Sequence, residues 1–528
     1  MAAVKRLKCF GIVKVWRGEA TDEPVRGGRS PHRKWQNVPL TNVSVASDLE
    51  SELLKRSASS ESVRGAQPVR PLQPAQIEDH PRSPPIRPLL MFLFDPVSLY
   101  HAIFRRMSEN IIAPNPWMIL PFGLLLGTIA LAPLLVPEWW LRHYPKVALG
   151  LGAVTLGYYL LVLQNPDRVL HVAHDYLSFI LLVGALFVVS GGIHIRVKGE
   201  ATPLTNVIFL FIGAVLANLL GTTGAAMLLI RPWLRMNQYR VTAHHVVFFI
   251  FIVANVGGCL TPIGDPPLFL GYLQGVPFWW VAGNCWPMWA TGVGLLLAIF
   301  YGVDRLNFMR APREIRQRET AHETWRFEGL ANLFFLAVIL GAVFVSRPLF
   351  LREGIMLAAA AGSYFTTAQS VHEANRFHFH PIQEVAILFL GIFATMIPAL
   401  DWLDLNARAV LGSQPAPAVF YFGTGLLSGG LDNAPTYLSF LSALFGTSGA
   451  GGMEELLTGN ALNLTALSVG AVFFGAATYI GNGPNFMVKA IADHEKIRTP
   501  TFPGFITKFT LPFLLPVLLA VWLIFFRG

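Results

Sequence analysis

The sequence predicts an all-α polytopic membrane protein: two inverted repeats, each of about five transmembrane helices plus one re-entrant hairpin, with broken helices at the midplane. Three observations predict it. They are a composition too apolar for water, an order of apolar segments that runs through twice, and one helix-breaking motif that occurs in both runs.

Of 528 residues, 53% are hydrophobic and 13% charged, with a mean hydropathy of +0.50. Globular chains carry about 25% charged residues, and a single soluble core stops growing at about 250–300 residues. Lipid is the alternative solvent, and each spanning helix then needs about 20 mainly apolar residues. The net charge of +9 is not a nucleic-acid footprint, because residues 1–88 hold 15 Lys and Arg against 9 Asp and Glu, most of the excess. Elsewhere the basic residues sit in short loops. Cys9, Cys259 and Cys285 form no CxxC, so neither a disulfide framework nor a metal-thiolate site is expected. No cofactor is expected.

Residues 1–106 read as a disordered basic tail and an interfacial segment. Met107 stands directly before the first span, so this stretch also fits a start-site artefact. Repeat 1 is placed at 107–304, a basic cytoplasmic linker at 305–328, and repeat 2 at 329–528. The apolar segments of the first run are 117–136, 145–163, 175–193, 203–230, 243–275 and 278–303. Those of the second are 329–346, 350–369, 382–399, 416–445, 464–492 and 509–526. In each run the fourth and fifth segments are interrupted by Gly, Pro, Thr, Asn or Asp.

The fifth segments align directly. Thr261-Pro-Ile263-Gly264-Asp265-Pro-Pro267-Leu-Phe269 stands against Thr478-Tyr-Ile480-Gly481-Asn482-Gly-Pro484-Asn-Phe486, at an offset of 217. The fourth segments set Gly221-Thr222-Thr223-Gly224 against Leu431-Asp432-Asn433-Ala434, and the third each carry an early carboxylate, Asp175 and Glu384. Three matches in one order make an internal repeat. If each fourth segment is a hairpin returning to its own side, five crossings remain per repeat, and the second repeat is inverted. One face then gathers 18 loop Lys and Arg against four on the other, as the positive-inside rule requires of the cytoplasm. This leaves the basic tail on the wrong side, an inconsistency that the loop charges do not resolve.

A helix broken at the midplane frees backbone carbonyls and N–H groups, which survive only in protein or beside water or an ion. Pro262, Pro266, Pro267 and Pro484 end the ladder, and Gly264, Gly481 and Gly483 allow the turn. Asp265 and Asp432 are the leading candidates. A carboxylate at membrane depth costs about 2.5–3.5 kcal/mol on insertion scales, and it can hold Na⁺ when ionised or H⁺ when protonated. Thr261, Thr478, Asn482, Asn485, Thr222, Thr223, Asn255 and Asn433 supply neutral oxygens around them. Asp175 and Glu384 are candidate proton relays near the interface. His171, His174, His244 and His245 flank spans and read as interfacially solvated. No GxxxxGK[ST] or HExxH occurs, so neither a P-loop pump nor a zinc hydrolase is expected.

At these motifs the chain resembles the NhaD-type sodium/proton antiporters, members of an ion transporter superfamily that also holds citrate, dicarboxylate and arsenite carriers. The resemblance rests on Gly221-TTGAAMLLIRP-Trp233, His245-VVFFIFIVANVGGCLTPIGDPPLFLGYL-Gln274, Leu431-DNAPTYLSFL and Ala477-TYIGNGPNFMVKAIA-Asp493, and covers about residues 115–526. It implies an elevator-like cycle, usually in a homodimer, with Asp432-Asn433 and Asp265 essential and Thr261 close by. The expectation is a bacterial inner-membrane exchanger of Na⁺ (or Li⁺) for H⁺, with Na⁺ at Asp265 and Asp432. Its partners would be small inorganic cations and the bilayer, not nucleic acid. The alternative is a Na⁺- or H⁺-coupled carrier of citrate, a dicarboxylate or an oxyanion.

Overall fold

A computed structural model describes residues 12–14, 37–39, 112–196, 201–310, 326–345 and 348–527. The chain divides into two compact units, Met1–Pro88 and Leu89–Gly528. In the first, strands β1 (Ile12–Lys14) and β2 (Asn37–Pro39) pair antiparallel. The rest of the tail and interfacial segment anticipated at 1–106 lies outside the described residues. So do 311–325 of the linker, although its flanks are ordered as helix up to Arg310 and strand from Arg326.

The second unit is helical. Its first half holds α1 (Leu120–Leu135), α2 (Pro137–Gly157), α3 (Pro166–Gly191), α4 (Pro203–Met236), α5 (Ala243–Ile252), α6 (Pro266–Leu273) and α7 (Phe278–Arg310). A short antiparallel pair, β3 (His194–Arg196) with β4 (Arg326–Glu328), ties the end of α3 to the start of the second half. There follow α8 (Asn332–Ala342), α9 (Leu351–Thr366), α10 (Gln369–Ala374), α11 (His380–Leu411), α12 (Thr424–Gly430) and α13 (Asn433–Ser448). The last are α14 (Met453–Gly459), α15 (Ala461–Gly475), α16 (Gly483–His494), α17 (Phe502–Phe505) and α18 (Leu515–Phe525). Among the described residues seven helical stretches are long and apolar enough to cross a bilayer, or eight if the bent pair α14 and α15 counts as one.

One of those seven, α4, does not cross as a rod. Thirty-four residues of straight helix would span about 50 Å, yet the amides of Asn206 and Asn237 exchange hydrogen bonds of 2.8 and 3.1 Å. The chain therefore turns back on itself, and it does so at Gly221, whose φ of 72° and ψ of 156° suit only glycine. In the second half α12 and α13 pack together across Leu431, and Gly423 lies against Phe440. Both interrupted fourth segments are thus helical hairpins.

Several boundaries differ from the expected ones. Helix α3 begins at Pro166, nine residues ahead of Asp175, because Asp167, Arg168 and His171 conceal a helical start from an apolar-run reading. Asp175 is therefore well inside the helix and buried, not at its start. Likewise α11 runs on to Leu411 and buries Asp401, which accepts from Tyr159 at 2.8 Å and pairs with Arg168 at 2.6 Å. Glu384 is in the first turns of α11 and half-buried.

Candidate functional site

The fifth segments break in the same way in both halves. After α5 the chain makes one 3₁₀ turn (Val256–Gly258) before α6 starts at Pro266. After α15 it runs irregularly to Gly483. Within each break the backbone folds so tightly that a Cβ on Gly264 would lie 2.0 Å from the Gly258 oxygen. One on Gly481 would lie 2.6 Å from the Gly475 oxygen. Thr261 and Thr478 do matching work. Each hydroxyl donates to a hairpin carbonyl, Asn218 O at 2.6 Å and Gly429 O at 2.7 Å, and accepts from the N–H of Gly264 or Gly481. These two threonines fasten the breaks to the hairpins. Their hydroxyls are occupied and do not reach Asp265 or Asp432.

Asp265 is the centre of the site. It is fully buried, and as the N-cap residue of α6 it makes no capping bond with its own helix. Its Oδ1 instead accepts from the Thr222 hydroxyl at 2.7 Å and from Asn482 Nδ2 at 2.9 Å. Its Oδ2 accepts from Asn433 Nδ2 at 2.7 Å. Thr222 follows the Gly221 break of hairpin α4, Asn433 opens α13, and Asn482 is the N-cap residue of α16. Four helix starts, two from each half, therefore meet at one carboxylate. Among the described residues neither Asp265 nor Asp432 has an ion pair with Lys, Arg or His.

The other expected residues are placed as follows. Asp432 caps α13 by accepting from Ala434 N–H at 3.0 Å, and it is half-buried. Asn255 joins the two breaks, donating to Asn485 Oδ1 at 2.6 Å and accepting from Asn482 at 3.1 Å. Asn485 donates to the carbonyls of Gly475 and Thr478, both at 2.8 Å, so both amides are committed to holding the breaks face to face. Thr223 lines a cavity of about 20 Å³ beside Asp265, against Leu182, Val183 and Leu186 of α3. One water-sized particle needs about 10–15 Å³, so this space admits a water or a small ion and no organic substrate. Asp175 and Glu384 lie outside the cluster. Asp175 accepts from Gln274 at 2.9 Å, where it helps line a second cavity of about 50 Å³ with Arg168 and Ser442.

One acceptor in the cluster has no donor. Asn433 gives its amide to Asp265, and its Oδ1 is buried without a hydrogen bond. Buried acceptors are rarely left so. An amide oxygen beside a carboxylate is a hard-oxygen pair of the kind that holds Na⁺ or another small cation, and adding a proton to Asp265 would force one of its three donors to turn away.

Sequence reasoning missed several residues. Asn218 on the first arm of α4 donates to Gly257 O at 2.7 Å and accepts from Leu260 N–H at 2.8 Å, fixing the first break. A lone amide three residues ahead of Gly221 was the available signal. His244 and His245, expected to be solvated, are buried at 8% and 0% exposure. They face Asp304 of α7 at 3.2 and 3.1 Å, while Arg240 binds both oxygens of the same carboxylate and Asn206 donates to it at 2.9 Å. Their partner lies 60 residues away in sequence, so no local pattern announced it. The guanidinium already occupies Asp304, so the His-His-Asp group reads as the clasp at the base of hairpin α4 and not as a metal centre.

A family model described as "Putative citrate transport" matches residues 112–526, nearly the whole helical unit. No curated protein matches the chain.

Proposed function

The chain belongs to that citrate-transport family, and we propose on this premise that it moves citrate or a related di- or tricarboxylate across a membrane, coupled to H⁺ or Na⁺. The observation that carries this reading is the meeting of four helix starts at Asp265. Each helix N-terminus presents about half a positive charge, and half-helix N-termini aimed at a midplane site are how broken-helix carriers receive anionic groups. Four such ends roughly offset the two carboxylates. With no Lys, Arg or His among the described residues paired to either carboxylate, a polyanion gains a favourable site only once Asp265 and Asp432 have been neutralised by H⁺ or by a bound cation. Coupling then follows from electrostatics, because the anion and its co-ion need each other.

In this reading the two halves lie in opposite senses in a bacterial cytoplasmic membrane, as the loop charges favour. The hairpins, the breaks, α7 and α6 with α16 travel as one elevator-like body, in a homodimer. The cavity beside Asp265 is too small for citrate, so loading requires this body to part from α3. A second reading, exchange of Na⁺ for H⁺ at the same carboxylates, is favoured by the donorless Asn433 Oδ1 beside Asp265. Purified protein in proteoliposomes, given labelled citrate under an imposed Na⁺ or H⁺ gradient, distinguishes the two. Accumulation driven by one gradient supports the carboxylate carrier. No uptake of any di- or tricarboxylate, together with Na⁺-induced collapse of ΔpH, would replace it with exchange.

A further inference from the structure

Among the described residues, the buried donors outside the cluster without an acceptor include Thr424 Oγ1, Trp522 Nε1, the hydroxyl of Ser190, and the Nε and Nη1 of Arg231. Native proteins leave few such groups, and a guanidinium with two unpartnered nitrogens is the most costly of them. Ser190 and Arg231 both lie along the 222–236 arm of α4: Ser190 of α3 faces that arm at Gly224, and Arg231 stands farther along it, near Arg376 and Glu495. The seam between this arm and α3 starts at the cavity next to Asp265, which Leu186 of α3 and Thr222 of the arm both line. There Gly224 faces Ser190 so closely that a Cβ on the glycine would lie 2.5 Å from the hydroxyl oxygen. Next comes an apolar patch of Met227 with Phe187 and Val188, covered by Phe377. Arg231 stands one turn beyond Met227. Its charged neighbours are Arg376, Arg235 and Glu495, and Glu495 is itself paired with Arg376 at 3.3 Å. From Thr222 to Arg231 is nine residues, about 13 Å of helix.

We propose that this seam is the path by which the carboxylate passes between the Asp265 site and one face of the membrane, with Arg231 binding it at the mouth and Ser190 close to the site. The proposal rests on the reading of the chain as a carboxylate carrier. A carboxylate supplies the acceptor that each of the two donors lacks, whereas a cation entering here would be repelled by Arg231, Arg235 and Arg376. The seam is closed in this structure, and it is the same contact that must part for the moving body to leave α3. The anion therefore takes the place of the contact that opens.

Ser190→Cys, in a chain whose own cysteines are replaced, tests the path. A small anionic methanethiosulfonate should label it during turnover faster than a cationic one, and citrate should slow the labelling. Arg231→Gln should abolish the preference for the anionic reagent and raise the KM for citrate by roughly tenfold or more, as loss of a charged partner does, while Arg231→Lys keeps most of both. An unlabelled Ser190→Cys that still transports, or an unchanged KM and reagent preference in Arg231→Gln, would overturn the path. A wild-type protein that moves no carboxylate would overturn the function instead, a separate result.

Discussion

Replacing Asp265 by Asn and by Ala separates what its carboxylate does for the fold from what it does for transport. Three donors end on its two oxygens, Thr222 and Asn482 on Oδ1 and Asn433 on Oδ2. In Asp265→Asn the remaining oxygen keeps the first two. The new amide meets Asn433, which can turn so that its own Oδ1 accepts, and that oxygen has no donor to lose. Three charge-assisted bonds of about 1.5–3 kcal/mol become neutral ones of about 0.5–1.5, a loss of roughly 3 kcal/mol. Against it stands relief from burying a charge, also several kcal/mol. The two effects are of one size, so Asp265→Asn should melt close to the wild type. Asp265→Ala strands three buried donors at about 1–3 kcal/mol each, roughly 3–9 in all, and should melt far lower or fail to accumulate. Both variants should lose gradient-driven accumulation. Thermal melting followed by size-exclusion fluorescence measures the first effect, and labelled citrate in proteoliposomes under a Na⁺ or H⁺ gradient measures the second. An Asn variant that still concentrates citrate would refute the assignment of coupling to this carboxylate. An Ala variant as stable as the wild type would refute the donor accounting.

Two further substitutions probe the surroundings. Asp432→Asn keeps an equally good helix cap, so α13 should be destabilised by no more than about 0.5 kcal/mol while coupling falls; unchanged coupling in vesicles would make Asp432 a cap and nothing more. Asp304→Ala leaves Arg240 buried without its counter-ion and should cost about 3–5 kcal/mol, most of it recovered in the double variant Arg240→Met with Asp304→Leu; a single variant that melts with the wild type would show that the clasp carries no load.

How far the sequence spoke depended on the range over which each feature is encoded. The breaks were legible because Pro, Gly and Thr act locally: the Thr261–Phe269 and Thr478–Phe486 motifs contain the points, Pro266 and Gly483, where the helices resume. The hairpin tip at Gly221 was legible for the same reason. What each polar side chain faces was not. Thr261 and Thr478 looked like ligands, yet they serve backbone groups of the hairpins, which a motif does not name. Asp432 and Asp265 looked equivalent by type, yet one caps its helix and the other turns away from it. The clasp at Asp304 joins residues 206, 237, 240, 244 and 245, and the Arg168–Asp401 pair joins the two halves. Partners so far apart along the chain leave no periodicity to read. Helix starts were missed at α3, where charged residues in the opening turns resemble a loop.

Hairpin α4 is tied at both ends. At its base, Asn206 and Asn237 clasp each other and Asn206 holds Asp304 of α7; at its tip, Thr222 N–H donates to Gly264 O at 2.7 Å, inside the break. A lever pinned at both ends has no hinge of its own. Its tip does not open as a flap over the cargo while its base stays put, and α7 and the first break must go wherever it goes. For the carrier proposed above, access to the cargo would then be gained by sliding along a surface and not by lifting a lid, and the speed of transport would be set by how smoothly that surface sheds and regains its contacts.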